Sequence, residues 1–327
     1  MQFAWRALFI VDTGWKADVI SSGGSMGSCI PIIVTGANGF VGRHIVKRLV
    51  RDGHRVSTIT RSTGHDIDGI SENFQLDLAR EMPNPDWLSG KETLIHLAGN
   101  TGGNDADSLI ENSENVRMAQ NLANAAKGAG ISKTIIMSSV AATPTNQTAG
   151  RSNRYGKEKA ATDEVFLEQL SPDQNMLFLR PPAIYGSGMK GGIAPLFKLT
   201  AKGLPIPLGL ALQPRPYLSV RNLADLVSHI VIANSEAWEK CDRKFIEVHD
   251  GELVPTNTLI RYIAAAQGKK ARLLPVPTGV LRAVAKMLNK SDMVSGALDP
   301  VVIGQSTLLQ DCFDWTPVEK MPDSLKF

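Results

Sequence analysis

Residues 31–42, PIIVTGANGFVG, constrain this chain more than any other segment. An apolar run at 32–34 has strand character and breaks into glycines at Gly36, Gly39 and Gly42. Around the last of these, Val41, Ile45 and Leu49 recur at four-residue intervals, the repeat of one helix face. Strand, glycine turn and helix start together make a phosphate cradle. Glycine permits a tight turn and close backbone approach, and the free amides and dipole of a first helical turn favour an anion. In that context the triplet reads as the turn that binds a dinucleotide pyrophosphate, with Gly36, Asn38, Gly39, Phe40, Val41 and Gly42 as candidate residues.

The rest of the chain agrees with an α/β protein. Strand-like runs at 32–34, 56–59, 93–96, 134–137 and 176–179 alternate with helical patterns beginning at Phe40, Asn115 and Tyr155, which predicts a Rossmann-type, doubly wound parallel sheet. Beyond Arg180 the texture changes to proline- and glycine-rich loops with short helices. Residues 29–180 are therefore expected to form the NAD(P)-binding domain and 181–327 mainly a smaller C-terminal substrate lobe. A length of 327 residues with 43% hydrophobic content suffices for both. Residues 1–28 fit neither and read as an unstructured extension ahead of a start at Met26, with a short organelle-targeting segment as the alternative.

Composition excludes several function classes. A net charge of +3, from 35 basic and 32 acidic residues, leaves no electrostatic footprint for nucleic acid. Cys29, Cys241 and Cys312 are odd in number and scattered, which suits reduced thiols in a cytoplasmic protein rather than a disulfide framework or metal site. The six histidines show no ligand spacing, and His96 reads as a packed core residue. No apolar stretch approaches the roughly 20 residues of a membrane span.

At the end of the second strand stand Thr60 and Arg61, where an acidic residue would accept from a free ribose hydroxyl and an arginine would accommodate a 2′-phosphate. The expected cofactor is therefore NADP, with NAD the alternative. Tyr155 and Lys159 lie four apart on a helix and can point into one cleft. A tyrosine with its ordinary pKa near 10 is a poor base at neutral pH, and an adjacent ammonium together with a positive nicotinamide would favour its phenolate.

The spacing G-x-x-G-x-x-G and further motifs from Thr35 to about Trp315 resemble the extended short-chain dehydrogenase/reductases, the NAD-dependent epimerase/dehydratase superfamily. The resemblance implies that Asp77 and Leu78 meet the adenine, that Leu97, Ala98 and Gly99 approach the cofactor ribose, that Asn115 opens the following helix at the cofactor, and that Pro182 lies beside the nicotinamide. It gives Lys159 a second role on the nicotinamide ribose. It places Ser139, rather than Ser138, against the reacting oxygen, and lets segments near 223–234 and 245–248 return to the sheet.

RPYLSVRNLADLV is especially similar to enzymes of UDP-activated sugars, with Arg215 matching a diphosphate ligand and Arg221 left on the surface. Val140 and Ala141 stand where 4,6-dehydratases carry an acidic pair, which disfavours dehydration. The expected reaction is hydride transfer at C4 of a UDP-sugar, by a 4-ketoreductase or a 4-epimerase. A hydroxysteroid- or dihydroflavonol-type ketone reductase, which needs a more apolar cleft, and a non-catalytic NADP-binding regulator are the alternatives. The resemblance also allows a homodimer, although no surface stripe in the sequence marks one.

Overall fold

The computed structural model describes residues 29–62, 67–100, 109–148, 154–288, 290–304 and 307–327; the extension expected over 1–28 lies outside them. Ten strands are described: β1 (Pro31–Thr35), β2 (Arg55–Thr60), β3 (Glu72–Gln75), β4 (Thr93–His96), β5 (Lys133–Met137), β6 (Asn175–Arg180), β7 (Ala183–Tyr185), β8 (Pro214–Ser219), β9 (Lys244–Glu247) and β10 (Leu253–Pro255). Around them run helices α1 (Phe40–Arg51), α2 (Glu114–Ala126), α3 (Pro144–Thr148), α4 (Arg154–Gln169), α5 (Ala194–Ala201), α6 (Val220–Ile232), α7 (Ser235–Cys241), α8 (Thr256–Ala266), α9 (Thr278–Met287), α10 (Ser291–Leu298) and α11 (Leu308–Phe313).

Seven of the described strands form one parallel sheet in the order β3-β2-β1-β4-β5-β6-β9. Its inner strands are buried at nearly every position, polar residues included, because both faces are covered. Alternate residues serve different cores: Ile32, Val34, Ile135, Leu177 and Leu179 pack with α1, α6 and α7, whereas Ile33, Ile136, Met176 and Phe178 pack with α2 and α4. The reversal of strand order between β1 and β4 opens the crevice at which such sheets bind ligands.

The five strands expected from apolar runs are present. β3 was not expected, because ENFQ is polar and largely exposed at the sheet edge and carries no apolar run. The late segments return to the sheet. β9 extends it beyond β6, and α6 lies along α1 with Leu223, Leu226, Val227 and Ile230 fully buried.

A second sheet, in the order β10-β8-β7, anchors the C-terminal lobe, whose core holds Tyr185, Tyr217, Leu259 and Ile263. Asp250 ties this lobe to the nucleotide side, accepting from the Tyr185 hydroxyl at 2.6 Å, the Asn222 amide at 2.7 Å and the Ser219 backbone. One expectation is corrected here. Arg221 is not a free surface arginine but bonds Glu319 at 2.9 Å and the Ser324 carbonyl, holding the C-terminal segment against α6. Cys241 and Cys312, far apart in sequence, meet between α7 and α11, where burial and the neighbouring thiol push Cys241 up to about 12. Among the described residues no helix is long and apolar enough to cross a membrane.

Candidate active site

The glycine turn between β1 and α1 is set by contact distances. Gly36 has φ +75°, and a Cβ there would sit 2.6 Å from the Ala98 amide nitrogen. A Cβ on Gly42 would strike the Gly36 carbonyl oxygen, so the third glycine is what lets α1 start directly against the turn. The space this leaves is a cleft of about 280 Å³ lined by Gly36, Asn38, Gly39, Arg61, Asp77, Leu78, Leu97, Ala98 and Gly99, together with Thr60, Ser62 and Glu114. A backbone cradle that any side chain would fill, opening on a helix N-terminus, fits a dinucleotide pyrophosphate. At its outer end the Asn38 amide donates to Ser62 at 3.1 Å, and the exposed Arg61 stands beside them.

The second half of the site lies where α4 crosses the ends of β5 and β6. Ser138 is committed elsewhere, because its hydroxyl donates to Asp163 at 2.7 Å. Ser139 caps the next turn through the Ala141 amide and shares a hydrogen bond with the Tyr155 phenol. Lys159, one helical turn on, is buried and donates to the Met137 carbonyl at 2.8 Å. A Cβ on Gly99 would lie 3.4 Å from the Lys159 nitrogen and 3.7 Å from Asn115 Oδ1, so strand β4, α2 and α4 converge on one point.

From Tyr155 a larger cleft of about 880 Å³ runs into the C-terminal lobe between α5, β8, α9 and α10. Asn100 lines both clefts and joins them. Arg215 lines the far side of the larger one from β8, buried, with one arm held by the Asp299 carbonyl.

With this geometry in view, the comparisons with known proteins are specific. Residues 32–240 match the model of the NAD dependent epimerase/dehydratase family. The chain belongs to that family. It is similar over 314 residues to a UDP-glucose 4-epimerase of Vibrio cholerae, at 26% identity, covering 90% of this chain and 93% of that one. Over 186 residues it is 32% identical to a ceramide reductase of Caulobacter vibrioides, covering 54% and 53% of the two chains. Among solved structures, the UDP-N-acetylglucosamine 4-epimerase of Bacillus cereus superposes with a TM-score of 0.67 at 18% identity over 91% of this chain and 94% of that one. The UDP-glucose 4-epimerase of Thermus thermophilus, solved with NAD, gives 0.66 at 21% identity over 91% and 97%.

Within this family member several residues sit differently from expectation. Gly42 serves helix packing rather than lining the cleft. Phe40 turns its ring edge-on to His44, and Val41 packs against the core, so neither lines the cleft. Pro182 lines neither cleft, whereas its neighbour Ala183 lines the larger one. Asn115 does not open its helix, which Ser113 caps. Its amide instead clamps the Asn100 backbone, accepting from the amide at 2.7 Å and donating to the carbonyl at 2.9 Å, and also donates to Glu158 at 3.0 Å. That clamp, Arg154 on the other Glu158 oxygen at 2.6 Å, and Asn100 itself were missed, because contacts between a loop and two helices have no spacing signature.

The electrostatics also depart from expectation. Burial pushes the Tyr155 phenol above its ordinary value, with the Ser139 hydrogen bond opposing it and the Asp163 charge adding to it. Burial holds the Lys159 ammonium itself below the usual lysine range, with Asp163 partly restoring it. The protein alone therefore keeps the phenol protonated. His96 is a core residue as expected: its ring meets Thr35 Oγ1 at 2.9 Å, and burial, reinforced by Lys159, lowers it to about 3.

Proposed function

We propose that this chain transfers hydride to or from a carbinol or ketone carbon of a nucleotide-activated sugar, at C4, as a 4-ketoreductase or 4-epimerase. The observation that carries the reading is that Tyr155 and Arg215 line one cleft, which Asn100 connects to the phosphate cradle. A guanidinium presents the fork of donors that a diphosphate requires, and a phenol at the other end can exchange a proton with the sugar hydroxyl. Gly36, Gly39 and the start of α1 would hold the pyrophosphate, Asp77 and Leu78 the adenosine, and Gly99 and Lys159 the nicotinamide ribose. We favour NADP, because Arg61, Ser62 and Asn38 meet where the 2′ position would lie and no carboxylate ends β2.

When bound, the nicotinamide supplies or accepts the hydride. For ketone reduction the protonated Tyr155 gives its proton to the carbonyl oxygen as that oxygen gains electrons, and Ser139 donates a hydrogen bond to the same oxygen. In the reverse direction the phenolate takes the hydroxyl proton, a step that needs positive charge nearby because burial opposes it.

A second reading is favoured by the walls of the larger cleft. Leu196, Leu199, Ile206, Leu208, Leu281 and Val294 make it more apolar than a diphosphate sugar requires, which suits a ketone carried on a lipid, the substrate class named for the Caulobacter ceramide reductase being a lipid. One panel separates the two: a UDP-hexose assayed for C4 inversion, a UDP-4-ketosugar with NADPH or NADH, and a long-chain ketone in detergent with the same cofactors. Turnover of a UDP-sugar that Tyr155→Phe lowers by about 10² to 10⁴ is the expected result. Turnover of the long-chain ketone alone would overturn the sugar reading in favour of the second.

A further inference from the structure

Helix α9 is exposed along a face where a globular protein usually buries its apolar stripe. Val280, Val284, Met287 and Leu288, at spacings of four, seven and eight, form one continuous row. Met287 is 84% and Leu288 63% exposed, and no described element covers them. The demands of the lobe are met by the adjacent flank, where Ala285 is buried and Leu281 lines the substrate cleft. Met293, on the neighbouring α10, both lines that cleft and is 59% exposed, which puts exposed apolar surface at the cleft mouth on the helix packed against α9. Single exposed apolar residues are ordinary, but a contiguous patch marks an interaction surface.

The charges around this row point to what covers it. Residues 253–291 contain seven lysines and arginines and no aspartate or glutamate, in a chain otherwise near balance at 35 basic to 32 acidic. On α9 and just beyond it, Arg282, Lys286 and Lys290 occupy the side away from the apolar row. Arg282 holds Asp299 at 2.6 Å, while Lys286 and Lys290 make no ion pair among the described residues. An amphipathic helix with a wholly basic polar face lies in the plane of an anionic bilayer, its apolar side sunk to the acyl boundary and its lysines at the headgroups. A second copy of the chain is a poorer occupant, because a symmetric contact would bring the basic faces of two α9 helices together.

We propose that the C-terminal lobe docks through α9 on an anionic lipid surface, with the mouth of the substrate cleft facing the bilayer. The docking goes beyond the hydride-transfer reading and does not depend on which substrate is turned over. It gives any substrate with an apolar part a route into the cleft without crossing water.

The test is co-sedimentation of the full chain with phosphatidylcholine vesicles, with and without phosphatidylglycerol. The protein should pellet with the anionic vesicles and be released by salt. Val284→Glu with Met287→Glu should lower the partition coefficient by about tenfold or more, and Lys286→Glu with Lys290→Glu should remove the preference for anionic vesicles. All four positions lie outside the cofactor cleft, so melting temperature and cofactor affinity should stay unchanged and report that the variants are folded. Failure of the wild type to pellet, or equal pelleting of the glutamate variants, would overturn the proposal. So would a stable dimer in sedimentation velocity that Met287→Glu dissociates, since a second copy would then own the surface.

Discussion

Replacing Asn115 by alanine separates a clamp from a cofactor contact. The side chain is 4% exposed and makes three hydrogen bonds of 2.7, 2.9 and 3.0 Å to the Asn100 amide, the Asn100 carbonyl and Glu158. Each contributes about 1 kcal/mol net, and buried groups left without partners cost about 1–3 kcal/mol. The sum is about 3–5 kcal/mol, because Arg154 still satisfies the other Glu158 oxygen. For a chain of this length that corresponds to a fall in melting temperature of about 4–7 °C.

Asn100 follows directly on Leu97, Ala98 and Gly99, which line the cofactor cleft, so cofactor affinity should fall with stability as this segment loosens. Asn115→Asp preserves the acceptor for the Asn100 amide but turns an oxygen toward Glu158 and the Asn100 carbonyl. It should be worse than alanine at neutral pH and recover as the pH falls and one carboxyl is protonated. Differential scanning calorimetry and titration calorimetry with NAD and NADP provide both readouts without any substrate. An alanine variant that melts within about 1 °C of wild type yet no longer binds cofactor would refute the clamp and restore direct contact.

Arg61→Asp should move preference from NADP toward NAD, since a carboxylate repels a 2′-phosphate and accepts from a free hydroxyl; dissociation constants for both cofactors, with wild type preferring NADP, check it. His96 is lowered to about 3, so the folded state refuses a proton that the unfolded chain takes up below about pH 6.5. Stability from this group is therefore full above that value and falls with pH, by about 1.4 kcal/mol between neutrality and pH 5.5. Urea melts of wild type and His96→Gln at both pH values should show that difference in slope, and parallel curves would contradict it. Ser138→Ala removes a donor from buried Asp163 and should cost about 1–2 kcal/mol in the same melts. Ser139→Ala should cost about 0.5–1 kcal/mol through the lost cap and lower turnover on whichever substrate the panel identifies.

Some of this protein was legible in the sequence because its causes are local. A parallel strand buried on both faces carries a short apolar run, so β1, β4, β5 and β6 announced themselves and β2 did so through Val56 and Ile59, and the glycine triplet marked the turn because no other residue tolerates the backbone contacts at Gly36 and Gly42. Tyr155 and Lys159 share a helix face by spacing alone. The edge strand β3 carried no such signal, because ENFQ is polar and is held chiefly by its pairing with β2.

What only the tertiary structure decided depends on groups distant in sequence. The resemblance already preferred Ser139 to Ser138, but the physical ground for it, Asp163 on the neighbouring helix engaging Ser138, is visible only in the fold. Asn115 looked like a helix opener until the chain folded Asn100 against it. The sign of the Tyr155 shift could not be foreseen from an adjacent lysine, because desolvation depends on everything packed around the phenol and here outweighs the charges. The apolar row on α9 drew no expectation from the sequence. Whether such a row faces a core or solvent is settled only by which other elements reach it, and among the described residues none does.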